Sequence, residues 1–144
     1  MTMEKDTAEI AHEIKRAKSP EELLRDQENS LPKMTLAEYL TQLLDERKMT
    51  KSQLAKEAGI NAIYCCHLVD GSKKSTSRPR LLAIAVALSL SEKETQRLLY
   101  YGGHPPLYPR ADWDKIILYA LQHHISVIDT NIMLINLNLQ PYLE

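Results

Sequence analysis

An all-helical fold follows from three features of the sequence. Ser or Thr followed three residues later by Glu, Gln or Asp recurs along the chain, and each such pair can satisfy orphan N–H groups at a helix start. Between these starts the apolar residues repeat at helical rather than strand spacing. Leu, Ile and Ala supply most of the apolar set, with no Phe and one Trp in 144 residues. No stretch has strand periodicity, and no internal repeat is expected.

Each helix can be justified in turn. Ile10, Ala11, Ile14 and Ala17 share one face of an amphipathic helix over 6–18. Ser19-Pro20-Glu21-Glu22 supplies a cap, a proline at the first helical position and a closing acid for a short second helix. Asn29-Ser30-Leu31-Pro32 reads as a linker. Thr35 with Glu38 opens a helix whose apolar positions are Leu36, Tyr39, Leu40, Leu43 and Leu44. Thr50 with Gln53 opens a short helix over Lys51–Ala58, which Gly59 ends by a left-handed turn. Asn61 caps the next helix, which runs to about Val69 and stops at Gly71.

Ser72 to Ser77 forms a polar loop containing Lys73 and Lys74. Ser77-Arg78-Pro79 then starts a helix that is apolar nearly all round, Leu81 to Leu88, and such a helix belongs at the centre of a bundle. Ser91 with Glu94 opens a helix through Leu98, Leu99 and Tyr100, ended by Gly102-Gly103. A proline-rich connector, His104 to Pro109, leads to a helix over about Asp112–His123 with Trp113, Ile116, Ile117 and Ala120 on its apolar side. The last helix begins at the Ser126 and Asp129 pair, runs to Leu137 and stops at Asn138.

Composition narrows the function. The net charge of −1 is the sum of −3 over residues 1–30 (5 basic, 8 acidic), +5 over 31–110 (12 basic, 7 acidic) and −3 over 111–144 (1 basic, 4 acidic). A basic middle between acidic ends places any nucleic-acid contact in the middle. No apolar run approaches the ~20 residues of a membrane span. The charged N-terminus carries no signal-peptide pattern, and Cys65 and Cys66 are adjacent; together these predict a cytoplasmic protein without a disulfide framework.

No enzyme or cofactor constellation is present. There is no glycine-rich phosphate loop and no paired-carboxylate motif, and Asp112 and Asp114 read as first-turn acids favoured by the helix dipole. Cys65-Cys66-His67, with His104, His123 and His124, lacks metal-ligand spacing, because adjacent residues on a helix point about 100° apart. Cys65 reads as a small core residue.

The segment 49–71, MTKSQLAKEAGINAIYCCHLVDG, has the grammar of a helix-turn-helix. Ala55 supplies a small residue facing the partner helix, Gly59 the positive φ of the turn, and Ile60 the plug between the helices. Leu54, Cys65 and Leu68 fall where the two helices meet. The T-x-x-Q-L-A-x-x-A-G-I run, Gly71 with its basic loop, and the R-P-R-L-L-A-I-A-V-A-L-S-L helix resemble the lambdoid phage-repressor (XRE) family over about 35–99.

That resemblance implies a five-helix lambda-repressor-like bundle over 34–103; the helical extensions over 1–33 and 104–144 fall outside it. It also implies a repressor-like transcriptional regulator that places its third helix in the major groove of double-stranded DNA. The base-reading positions it assigns are Asn61, Ala62, Ile63, Cys66 and His67. The phosphate contacts it assigns are Lys51, Lys73, Lys74, Arg78 and Arg80. Ala62 and Ile63 cannot hydrogen-bond a base edge but can pack on a thymine methyl, and His67 can donate to guanine. Such an apolar reading face also fits a second use of the fold, as a protein-interaction module or antitoxin-like partner. The tail residues Ile125, Val127, Ile128, Ile132, Met133, Leu134, Ile135, Leu137 and Leu139 exceed what one face of a lone helix can hide. Residues 111–144 therefore either close over the bundle or form a homodimer or partner interface.

Overall fold

The expected capping residues set where all helices but Asp112–Gln122 begin in the computed structural model, which describes residues 31–142. The helices expected over 6–18 and after Ser19 lie outside the described residues. Among the described residues there are seven helices and no strand. They are α1 (Leu36–Arg47), α2 (Lys51–Ala58), α3 (Ala62–Asp70), α4 (Arg78–Ala87), α5 (Glu92–Tyr101), α6 (Asp112–Gln122) and α7 (Val127–Asn136). The chain from Thr35 onward forms one compact unit.

Reciprocal capping boxes start α1, α2 and α5. At α1 the Thr35 hydroxyl accepts from the Glu38 N–H at 3.1 Å while the Glu38 carboxylate accepts from the Thr35 N–H at 2.8 Å. Asn61 caps α3 by accepting from the N–H groups of Ile63 and Tyr64. Gly59, at φ 72°, ends α2 in the left-handed conformation that the sharp turn into α3 requires.

The core forms around α4. Leu81 through Val86 are all buried, as expected of a helix with no polar face, and α4 packs against α2, α5, α6 and α7. Leu36, Tyr39, Leu40, Leu43 and Leu44 of α1 are buried as their spacing predicts. Leu54, Ala55, Cys65 and Leu68 are buried where α2 meets α3.

One expectation fails: the chain does contain an internal repeat. In backbone geometry the segment 78–107 recurs at 113–142 with an offset of 35 residues (126 minus 91, taking Ser91 and Ser126 as equivalents). In both units the first helix ends in a left-handed residue, Ser89 at φ 53° and His124 at φ 52°. A serine then caps the second helix, and a buried threonine hydroxyl four residues on donates back to that serine's carbonyl: Thr95 to Ser91 at 2.8 Å and Thr130 to Ser126 at 2.7 Å. A second left-handed residue follows, Gly103 at φ 76° and Asn138 at φ 59°.

The chain after each second helix is then pinned back by two side chains. The Gln96 amide oxygen accepts from the Leu107 N–H at 2.8 Å, and the Asn131 amide oxygen accepts from the Tyr142 N–H at 2.9 Å, each across 11 residues. Arg78 Nε donates to the Pro105 carbonyl and Trp113 Nε1 donates to the Gln140 carbonyl, each across 27 residues. The aligned core positions Leu82/Ile117, Ala85/Ala120, Leu99/Leu134 and Leu107/Tyr142 are buried in both units. Sequence identity between the units is confined to Ala85/Ala120, Ser91/Ser126, Thr95/Thr130, Leu99/Leu134 and Pro106/Pro141. The shared geometry is therefore carried by different residue types able to make the same bond.

Candidate nucleic-acid interface

The outward face of α3 follows from its capping and its packing. Asn61 fixes the helix start, and Cys65, Leu68 and Val69 turn inward. Ala62, Ile63 and His67 are left exposed on the opposite side, with Cys66 half-buried among them. Ile63 is 68% exposed. Asn61 is exposed, but its amide oxygen is committed to the cap, which leaves its NH₂ for other contacts. Cys65 is sealed in, and burial pushes its thiol up from its ordinary range, with neighbouring Cys66 adding to the effect.

Lys51, Lys73 and Lys74 line one open groove of about 1230 Å³, which runs between the N-terminal turns of α1 and α2 and the C-terminal end of α3. The groove also holds Glu38, Asp45 and Asp70, so its charge is mixed. Hydrogen bonds from Ser72 hold the fully exposed Asp70 carboxyl below the usual range. Exposed N–H groups at the α2 start add positive potential beside Lys51.

Tyr64, half-buried on α3, organises two of the expected cations. Lys73 Nζ lies 5.1 Å from its ring centroid and the Arg80 guanidinium carbon lies 4.7 Å from it. The Tyr64 hydroxyl is hydrogen-bonded to Thr76, whose carbonyl meets His104 Nε2 at 2.6 Å. Burial works to raise the Tyr64 phenol, but the hydrogen bonds with Thr76 and Arg80 and the charges of Arg80 and Lys73 outweigh it and leave it below its ordinary value. The site thus holds two long cationic side chains near one platform, where each cation–π contact contributes about 0.5–1 kcal/mol.

Arg78 departs from its expected role. Its guanidinium makes a two-pronged bond to Asp114, at 3.0 and 2.9 Å, and donates to the carbonyls of Pro105 and Pro106. With those donors engaged it is a clamp between α4, the connector and α6, rather than a free phosphate ligand. Asp114 likewise is not a solvated first-turn acid: it is buried, and it also accepts from the Tyr108 N–H at 2.8 Å. Neither role has a local signature, because the partners are 36 residues apart. The Tyr64 platform has none either, since Thr76 and Arg80 reach it only through the path of the 71–77 loop.

The structure therefore places Asn61, Ala62, Ile63, Cys66 and His67 on the outward side of α3, gathers Lys51, Lys73 and Lys74 around one groove, seats Arg80 on Tyr64 and withdraws Arg78. Among the described residues no helix is long and apolar enough to cross a membrane. Comparison of the chain with protein-family models, curated proteins and solved structures gave no match.

Proposed function

We propose that this protein is a repressor-like transcriptional regulator that binds double-stranded DNA, with α3 entering the major groove. On this reading α1–α5 are the five helices of a lambda-repressor-like, XRE-type bundle and α2–α3 are its helix-turn-helix. The observation that carries the proposal is a set of four cations beside an exposed helix face. Lys51, Lys73 and Lys74 border the groove next to α3, and Arg80 and Lys73 stack on a tyrosine of α3 itself. That arrangement suits two phosphate strands flanking a groove-bound helix. Ile63 and Ala62 then read thymine methyls by packing, and His67 and the free Asn61 NH₂ supply the polar contacts.

The 68% exposure of Ile63 favours one second reading, in which the same face docks an apolar partner protein. Titration of labelled duplex DNA with wild type and with the Lys73→Ala/Lys74→Ala double variant distinguishes the two. Each lost phosphate contact should flatten the slope of log K against log salt by about 0.9 and weaken binding on every sequence alike. An unchanged affinity and slope would remove these lysines from the interface.

A further inference from the structure

The two repeat units act as an internal control for one another, and they differ along one face of the second helix. In α5 the positions equivalent to Ile128, Ile132 and Ile135 of α7 are Lys93, Arg97 and Tyr100. The backbone device is the same in both, yet one unit carries two cations and a phenol where the other carries three isoleucines. The isoleucines are not needed inside the fold: they are 72%, 49% and 57% exposed, and Leu137 beside them is 54% exposed. Their 4-then-3 spacing is that of a helix–helix seam. A second contrast points the same way. Helix α5 has α1 packed beside it, whereas α7 packs chiefly on α4 and α6.

We infer that the isoleucine face of α7 pairs with the same face of a second copy of this chain. A like face is the occupant that fits its charge. Asp129 is the one charged residue in α7, at its N-terminal end, and α7 has no cation for an acidic partner to meet. In an antiparallel two-fold pair Ile128 meets the other copy's Ile135, the two Ile132 residues lie near the axis, and the two Asp129 carboxylates fall at opposite ends. The face offers about 400 Å² per copy, the size of the largest apolar patch on a typical monomer, which is often functional. The pair then covers about half the ~1,600 Å² of a standard interface. The dimer is accordingly weak and concentration-dependent. This inference does not depend on DNA binding.

The test is sedimentation equilibrium of the full chain, comparing wild type with a swap variant, Ile128→Lys/Ile132→Arg/Ile135→Tyr, which gives α7 the residues α5 already carries. Circular dichroism verifies that helix content is kept, and the single variant Ile132→Arg serves as a milder version. Wild type should approach twice its 16.5 kDa mass at about 100 µM. The swap should stay monomeric, and Ile132→Arg should dissociate at least ~10-fold more readily. A wild type that stays monomeric overturns the inference, and so does a monomer whose melting temperature falls on the swap, because the chain would then be covering its own stripe. A swap variant that still pairs with wild-type affinity overturns it equally.

Discussion

The unit over 78–107 and the unit over 113–142 share their turns and pinning hydrogen bonds and differ in what they show to the outside. Both keep a serine cap, a buried threonine tied back to it, an amide side chain that pins the returning strand, and two left-handed turns. These are the features the fold requires. The first unit leaves Lys93 and Tyr100 exposed, holds Arg97 half-buried and lies beside α1, while the second leaves Ile128, Ile132 and Ile135 exposed. The difference separates residues that build the unit from residues free to serve as a surface. The α3 face shows the same division, since Asn61, Cys65 and Leu68 build the helix while Ile63 and His67 are left over.

The largest effect should come from the bond that joins the units. Asp114→Ala leaves the Arg78 guanidinium and the Tyr108 N–H without their carboxylate, in a place where Asp114 is only 6% exposed. Removing one partner of such a pair should cost about 3 kcal/mol, read as a drop in the urea midpoint at unchanged slope. A loss under about 1 kcal/mol would mean that the units hold together without the clamp.

The next effect is a loss of stability in alkali. Burial pushes the Tyr39 phenol up to about 12, with Glu94 beside it adding to the shift, and burial raises the Tyr142 phenol as well. A phenol whose folded pKa exceeds its unfolded value of ~10 contributes stability that is fully present below pH ~10 and is lost as pH rises through ~12. For Tyr39 the loss approaches about 2–3 kcal/mol. Denaturation midpoints of wild type should fall over that window, and Tyr39→Phe should fall less. Equal falls would show that Tyr39 does not sense the pH.

The smallest effect tests the equivalence itself. Gln96→Ala and Asn131→Ala each orphan one part-buried backbone N–H, on Leu107 and Tyr142, and should each cost about 1–2 kcal/mol. Similar losses support one shared device. A loss at Gln96 with none at Asn131 would make the second unit a likeness of shape alone.

Much of this was legible in the sequence because helix starts are local. Thr35, Thr50, Asn61, Ser77, Ser91 and Ser126 cap the helices they were expected to cap, and the all-apolar stretch from Leu81 went to the centre. The repeat was not legible, because it substitutes Arg for Trp, Gln for Asn and Gly for Asn while keeping the bond or the dihedral angle each must supply. The role of Arg78 is not legible locally for a related reason. A basic residue at a helix start looks alike whether it meets phosphate or a buried carboxylate, and only the path of the chain brings Asp114 to it. The Tyr64 platform depends in the same way on where the 71–77 loop runs.

The proposed function requires α3 and its cations to meet DNA. Selection of bound sequences from a random double-stranded pool at near-physiological salt tests that directly. The expected result is an enriched motif bound with a dissociation constant of about 10⁻⁷ M or tighter, rich in thymine where Ile63 enters and weakened when those thymines are replaced by uracil. No enriched motif, with a dissociation constant no tighter than about 10⁻⁵ M, would contradict it and leave the exposed α3 face to a protein partner.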